Sequence, residues 1–141
     1  MNQTINFGLN QWSSTDRIRM EDFNADNAKI DAALAGIPKI AVGSYIGTGT
    51  YGSANPNSLT FDFAPLLLII SASHSATSGA GTIFVRGQTQ NAGMGAQYNG
   101  FSLNTTVSWD ENTVIWYTTR DDVERQLNLS GITYHYLALG I

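Results

Sequence analysis

The strongest secondary-structure signal in the chain is the stretch FSLNTTVSWDENTVIWYTT at positions 101–119. In its first half, large residues alternate with small or polar ones, which is the period of a half-buried β-strand. Asp110, Glu111 and Asn112 then interrupt the alternation with residues typical of a turn. A second run, rich in β-branched and aromatic residues, follows at 113–119. The stretch therefore predicts a β-hairpin.

Short segments of the same kind fill most of the chain after Pro38. Further strands are predicted at 40–46, 59–63, 66–71, 82–87 and 131–141. The last of these places Ile132, Tyr134, Tyr136 and Ala138 on one face and Thr133, His135, Leu137 and Leu139 on the other. About six to eight strands separated by turns predict a mainly β domain over 39–141, an antiparallel β-sandwich of the jelly-roll kind.

The apolar run LLLII at 66–70 has no polar alternation, so both of its faces have to be covered. Two arrangements would cover them. The strand lies at the centre of one subunit, or a neighbouring subunit supplies the second cover. The sequence leaves both open.

Before Pro38 the periodicity is helical. Apolar residues and one Asn recur at alternate spacings of three and four and form one narrow seam, which favours association of helices in a coiled coil. The seam consists of Met20, Phe23, Asn27, Ile30, Leu34 and Ile37. An Asn within such a seam can fix its register by bonding to its counterpart. We therefore predict an oligomerisation helix over 16–37, preceded by a polar segment, 1–15. An amphipathic helix lying on the following domain is the alternative.

Both ends of this helix have recognisable signals. Ser14, Thr15 or Asp16 is predicted to cap its start. Gly36 is predicted to take the left-handed conformation after the last turn, and Pro38 prevents continuation. A domain boundary is therefore expected at 37–39.

Composition excludes several classes of function. The net charge is −4 and only 13% of residues are charged, so we expect no nucleic-acid partner. The chain has no cysteine, which excludes disulfides and thiolate metal sites. No apolar run approaches the length of a membrane span, and no secretory signal opens the sequence. We expect synthesis in a cytoplasm without membrane insertion, and we interpret the glycosylation tripeptides at 104–106 and 128–130 as chance matches.

Residues that could perform catalysis are few. His74 lies between two serines in a Gly/Ala/Ser-rich segment, where a catalytic triad is not expected. His135 lies in the last predicted strand, and three copies could meet on a symmetry axis and bind a metal, although no second ligand accompanies it. The carboxylates Asp121, Asp122 and Glu124 are interspersed with arginines and are interpreted as a solvated loop rather than a glycosidase pair. We therefore predict a binding protein, not an enzyme, with no metal and no cofactor.

The glycine-rich pieces at 43–49 and 93–95 do not match phosphate-binding loops, because the lysine and the following helix are missing. Their Tyr, Asn, Gln, Ser and Gly content is typical of recognition surfaces. We expect a neutral glycan, or a protein epitope, to be bound on loops far from the helix. The candidate ligand-binding residues are Gln88, Gln97, Tyr98, Asn99 and His74.

Motifs along the chain resemble small tail-fibre or receptor-binding proteins of phages and prophages of Gram-positive, clostridia-like bacteria. The N-terminal motifs are FGLNQW at 7–12, TDR at 15–17 and EDFNADNAKIDAAL at 21–34. The β domain adds GSY at 43–45, GTG at 47–49, FAP at 63–65, LNLSGITY at 127–134 and YLALG at 136–140.

This resemblance implies a virion protein whose segment 1–15 attaches to tail or baseplate proteins, whose helices form a homotrimer, and whose sandwich binds a host surface. Related metal-stabilised fibres often carry a His-x-His pair, whereas this chain has Tyr134-His135-Tyr136. The alternatives are a structural baseplate or decoration protein, a surface-polysaccharide hydrolase and, for the β domain alone, a soluble lectin.

Overall fold

The computed structural model describes residues 2–72, 81–91, 97–98, 101–102, 105–118 and 123–141. These divide into two compact units, Met1–Ile37 and Pro38–Ile141, so the division falls within the boundary region expected from the sequence. The first is called the N-terminal unit and the second the β unit. The described residues are mainly β, with antiparallel sheets and one helix, as predicted.

The N-terminal unit consists of a small hairpin and a helix. The hairpin pairs β1 (Asn2–Gln3) with β2 (Asn10–Gln11), and the sequence analysis missed it because strands of two residues have no readable period. Helix α1 covers Met20–Ala35, so it is shorter than the predicted segment 16–37. One face of α1 receives the hairpin: Asp26 accepts a hydrogen bond from the Asn10 amide at 2.9 Å, and Lys29 donates to the carbonyl of Gly8.

The predicted caps of α1 are wrong. Its N-cap residue is Arg19, which makes no capping side-chain bond. Asp16 instead accepts a hydrogen bond from the Ser13 amide at 2.9 Å, and this bond lowers the pKa of its carboxyl group. Gly36 has φ −88°, so the helix ends without a left-handed residue. Pro38 follows two positions later and excludes another helical turn.

The described residues of the β unit form two four-stranded antiparallel sheets and a small β-hairpin. The first sheet has the order β3-β12-β5-β6, formed by β3 (Lys39–Ile46), β12 (Thr133–Gly140), β5 (Pro65–Ala72) and β6 (Gly81–Val85). The second has the order β4-β11-β10-β7, formed by β4 (Asn57–Thr60), β11 (Thr113–Thr118), β10 (Thr105–Trp109) and β7 (Gln90–Asn91). The hairpin joins β8 (Gln97–Tyr98) to β9 (Phe101–Ser102).

The inner faces of the two sheets share one hydrophobic core. Trp116 of the second sheet lies 5.7 Å, centroid to centroid, from Phe84 and 6.2 Å from Tyr45, both of the first sheet. The buried side chains of the core include Leu68, Ile70, Val107, Val114, Tyr134 and Ala138. Alternation along β12 is as predicted, with Tyr134 and Ala138 inward and His135 exposed on the other face.

Several strand boundaries differ from the prediction for identifiable reasons. The strand predicted at 59–63 ends at Thr60, because the next residues cross from one sheet to the other and bury Phe61 and Phe63 in the core. The strand predicted at 82–87 ends at Val85, where a turn closes with Gly87 at φ +94°. Of the strand predicted at 101–109, the described residues form β9 and β10, which pair with different partners, whereas 103–104 lie outside the described residues.

Candidate functional site

The candidate site lies at one end of the β unit. The chain enters the unit at Pro38, beside the pair formed by Lys39 and Gly140. At the opposite end, β3 finishes at Ile46 and β12 begins at Thr133. The second sheet ends here as well, because Trp116 of β11 pairs with the first residue of β4. We call this the far end of the β unit.

A turn-rich segment, 47–56, connects β3 to β4 at the far end, and the side chain of Asn128 holds it. The Asn128 amide oxygen accepts a hydrogen bond from the Thr48 backbone amide at 3.0 Å. Its amide nitrogen donates to the Thr50 carbonyl at 2.8 Å and to the Thr48 hydroxyl at 2.9 Å. Asn128 is 3% exposed, so these bonds replace water that the side chain has lost.

Gln126 fixes the other half of the same segment. Its side chain is fully buried; the amide oxygen accepts from the Gly52 amide at 2.8 Å and the Thr118 amide at 3.1 Å. The amide nitrogen donates to the carbonyl of Asn55 at 2.7 Å. The Gln126 carbonyl accepts from the indole nitrogen of Trp116 at 2.9 Å. Both amide side chains thus hold the connecting segment in one conformation through buried hydrogen bonds.

Between these two residues, Leu127 adopts φ +59°, a conformation uncommon for residues other than glycine. Its carbonyl accepts a hydrogen bond from the Tyr45 hydroxyl at 2.7 Å. The Tyr45 ring stacks on Tyr134 at 5.2 Å between centroids. Burial raises the pKa of the Tyr45 phenol well above its ordinary value, and the neighbouring Tyr134 adds to that effect. Tyr45 is therefore a neutral donor at physiological pH.

These supports enclose a surface hollow of about 310 Å³, which is near the lower limit of ligand-pocket volumes. The described residues of its lining are uncharged and supply hydroxyl groups, side-chain amides and two aromatic rings. The lining residues are Tyr45, Ile46, Thr48, Thr50, Asn55, Pro56, Asn57, Ser58, Trp116 and Asn128. These described residues offer donors and acceptors for hydroxyl groups and carry no charged side chain, so they suit a neutral, polyhydroxylated molecule.

The sequence-predicted ligand-binding residues lie apart from this hollow or outside the described residues. Gln88 is in the turn after β6, at the entry end, where its side-chain oxygen accepts from the Val85 amide at 3.0 Å. Gln97 and Tyr98 form β8, paired with β9. His74 and Asn99 lie outside the described residues. The structure does not bring these five residues together into one described site.

The six predicted oligomerisation residues are all exposed in the single chain, and four of them are more than half exposed: Met20 75%, Phe23 55%, Leu34 60% and Ile37 54%. They lie on a face of α1 that the N-terminal hairpin leaves open. No residue in the described range 2–37 is classed as buried, so this unit has no hydrophobic core of its own. The hairpin contacts one face of this 16-residue helix, and the stripe lies on the face that stays exposed.

The residues considered for catalysis or metal binding do not form a described site. Within the part of the chain that the structure describes, no three histidine or carboxylate side chains lie together as metal ligands. His135 is exposed on the outer face of the first sheet, level with Ser44 and Ser71 on the flanking strands. Glu124 is exposed, whereas Asp121 and Asp122 lie outside the described residues. No helix among the described residues is long and apolar enough to span a membrane.

Sequence reasoning missed Gln126 and Asn128 as organisers of the far end. The segment at 127–134 carried part of the family resemblance, and the one at 43–49 was interpreted as a recognition loop, but nothing connected the two. A buried amide within an apolar context, as in QLNL at 126–129, was the available signal. The hydrogen-bond partner Thr48 lies 80 residues before Asn128 in the chain, so this contact could be identified only from the structure.

No protein-family model matches the chain, no curated protein matches its sequence, and no solved structure matches it.

Proposed function

We propose that the chain is a tail-fibre or receptor-binding protein of a phage virion, which binds a host-surface glycan as a homotrimer. In this proposal the α1 stripes form a short coiled coil and the β unit is a jelly-roll-like sandwich. Segment 1–15 attaches to tail or baseplate proteins. The motif resemblance to phage tail proteins supports the setting, and the structure supports the two physical requirements, self-association and ligand binding.

The observation that carries the proposal is the division of tasks between the two units. The N-terminal unit exposes an apolar heptad stripe and has no buried residue among those described, so it is built to associate. The β unit has its own core and, at the end opposite its chain entry, a hollow whose described lining residues are uncharged. An oligomer with several such hollows would gain avidity from weak single sites.

The chemistry of the hollow favours binding over turnover. Glycoside hydrolysis requires a carboxylic acid and a second carboxylate on either side of the scissile bond. Among the described residues, those that line the hollow supply hydroxyl, amide and aromatic groups and no carboxylate. We therefore propose a glycan that is held but not cleaved.

The test measures binding of the purified full-length protein to whole cells of Gram-positive, clostridia-like bacteria and to polysaccharides extracted from their walls. We expect saturable binding that survives high salt, because no ion pairs are involved. Release of reducing sugar from those polysaccharides would instead establish a hydrolase. Absence of binding to any cell or polysaccharide in the panel would favour a purely structural virion component.

A matched pair of variants connects the binding to the far end. Asn55→Ala changes a side chain of the hollow, whereas Thr60→Ala changes an exposed side chain on β4 outside it. Weaker binding by the first variant alone supports the hollow as the glycan site. Equal binding by both variants would place the ligand elsewhere.

A further inference from the structure

The outer face of the first sheet is apolar across all four of its strands. Register brings two rows of aliphatic side chains together on this face, which we call the outer apolar face. One row is Ile40, Leu139, Leu67 and Val85, and the next is Val42, Leu137, Ile69 and Ile83. At the far end a polar row, Ser44, His135 and Ser71, separates these rows from Ile46. Edge positions of the face are strongly exposed, with Val42 at 73% and Ile40 at 66%.

The face explains the apolar run at 66–70. Leu68 and Ile70 point into the core and are fully buried, whereas Leu67 and Ile69 belong to the outer apolar face. A solvated sheet face normally carries polar residues at the outward positions. Here the polar residues at outward positions of the described strands are only two serines, one threonine and one histidine, and none of these positions carries Asp, Glu, Lys or Arg. Such a face is typical of a buried interface rather than of a solvated surface.

The dimensions of the face are those of part of a protein interface. Four strands spaced about 4.8 Å apart and six residue steps of about 3.3 Å cover roughly 400 Å² in projection. The two aliphatic rows take about two thirds of that area, close to the lower limit of the largest apolar patches of monomers. The whole face is about half of the 800 Å² that each partner buries in a standard interface. A second contact between the same partners would complete it.

We propose that the outer apolar face packs against the corresponding face of other copies of this chain, so that the β units as well as the α1 helices form the oligomer. The inference rests on the proposed function in one respect, the self-association of α1. Charge indicates the occupant: a face without charged groups fits a partner surface that also has none, and the face itself is such a surface.

Continuity along the chain also indicates a second copy. Only Gly36, Ile37 and Pro38 separate α1 from β3, and three extended residues span at most about 11 Å. Helices that associate through the stripe lie about 8–10 Å apart. The first strands of the associated copies are thereby tethered close together, which raises the effective concentration of one outer apolar face for another.

The test uses the full-length protein and two matched substitutions. Val42→Asp places a charge on the outer apolar face, and Ser108→Asp places the same charge on an exposed outward position of β10 in the other sheet. Both sites are exposed in the single chain, so neither change disturbs the core. By light scattering over a dilution series, we expect Val42→Asp to raise the concentration of half-assembly by about tenfold or more, and Ser108→Asp to leave it unchanged.

A thiol measurement distinguishes direct contact from a general effect of charge. Because the chain has no cysteine, Val42→Cys and Ser108→Cys each create a unique thiol. In the assembled protein we expect the thiol at position 42 to react with a maleimide much more slowly than the thiol at position 108. Dilution to monomer, or unfolding, should remove the difference.

Three results would overturn the inference: a monomeric wild-type protein, a Val42→Asp variant that assembles like wild type, or equal maleimide reactivity at the two positions. If both Asp variants weaken assembly, the maleimide reaction rates at positions 42 and 108 show whether the outer apolar face itself is in contact. Failure of the glycan-binding function is a separate result, because protection of position 42 is measured without any ligand. Binding to host cells by a protein whose outer apolar face stays solvent-exposed would overturn this inference alone.

Discussion

The side-chain amide of Asn128 donates a hydrogen bond to the backbone carbonyl of Thr50 across 2.8 Å, although 78 residues separate the two in the chain. This bond and its neighbours hold the segment between β3 and β4 against the C-terminal third of the β unit. The shape of the far end therefore depends on one buried amide more than on the local sequence of the turn.

Replacing this amide tests that dependence. Asn128→Asp has nearly the same shape but removes the NH₂ donor, and it brings a carboxylate towards the Thr50 carbonyl and the Thr48 hydroxyl. We expect the free energy of unfolding to fall by about 1–3 kcal/mol, measured by urea denaturation, because buried acceptors lose their donor. The exposed neighbour Ser130 provides the control, since Ser130→Ala should change stability by less than about 0.5 kcal/mol. Equal effects of the two changes would contradict the role of Asn128.

The buried Tyr45 phenol predicts a loss of stability at alkaline pH. Its pKa is raised in the folded state, so its contribution to stability is fully present below about pH 10, the ordinary pKa, and is lost as pH rises further. Tyr45→Phe removes the bond to the Leu127 carbonyl and should cost about 1 kcal/mol at neutral pH. Above about pH 10, the free energy of unfolding should decrease with pH less steeply for Tyr45→Phe than for wild type. The two slopes should differ by about 1.4 kcal/mol per pH unit. Denaturation series at several pH values give both slopes, and parallel slopes would exclude Tyr45 as the cause.

Gly47 should tolerate no side chain. A Cβ at this position would overlap the Leu129 carbonyl oxygen and lie 2.7 Å from the carbonyl carbon of Asn128. We expect Gly47→Ala to destabilise the protein by about 1–3 kcal/mol or more, because backbone has to move. Gly36→Ala is the matched control: its nearest neighbour would be 3.7 Å away, and its φ is negative. Thermal melting should separate the two variants, and a Gly47→Ala protein that melts like wild type would contradict the close packing of the two segments.

The exposed stripe of α1 predicts that assembly depends on Ile30. Ile30→Asp would bury one charge per copy in the seam, so the mass measured by light scattering should decrease towards that of a monomer. Ala25→Asp adds the same charge on the opposite, exposed side of the helix and should leave the mass unchanged. An Ile30→Asp protein with the wild-type mass would place α1 outside the interface.

Ligand binding is predicted to depend on the hollow or on the loops indicated by the sequence. Asn55→Ala removes one hydrogen-bonding side chain from the hollow, and we expect roughly three- to tenfold weaker binding to the recognised polysaccharide. Tyr98→Ala tests the sequence-based site through loss of aromatic stacking. Binding isotherms on immobilised polysaccharide compare the two variants at equal oligomer mass. A decrease for Tyr98→Ala alone would assign recognition to the hairpin of β8 and β9 instead.

The regular strands could be predicted from the sequence because their inward and outward residues differ in polarity. The hairpin at 105–118 and the long strands β3, β5 and β12 all show this signal or a continuous apolar run. The segment at 61–63 misled the prediction because its two phenylalanines alternate like strand residues, although they belong to a connection between sheets. Alternation of apolar and polar residues shows only that one side of a segment is buried. A segment that connects two sheets can bury one side in the same way as a strand.

The ends of α1 and the candidate site could not be predicted for a different reason. A potential capping residue can bond elsewhere. The Asp16 carboxylate accepts a hydrogen bond from the Ser13 backbone amide and does not cap the helix that starts at Met20. The hollow depends on Gln126 and Asn128, whose partners come from the other end of the β unit's sequence. Local patterns contain no information about such distant hydrogen bonds. The spacing of the stripe could be obtained from the sequence alone and its residues are exposed, whereas its association with other copies stays a prediction.

The pairing of β3 with β12 has a consequence for how the protein is made. β3 is an edge strand of its sheet and its neighbour is β12, so residues 47–132 have to be synthesised before β3 can pair. At about 5–20 residues per second, a ribosome needs roughly 4–17 s for that segment. During this time Ile40 and Val42 sit on an unpaired apolar strand, which is a template for association with other nascent chains. Sheet closure between distant strands is also intrinsically slow. The nascent chain should therefore be a client for chaperones that shield exposed strands, and its soluble yield should depend on their supply.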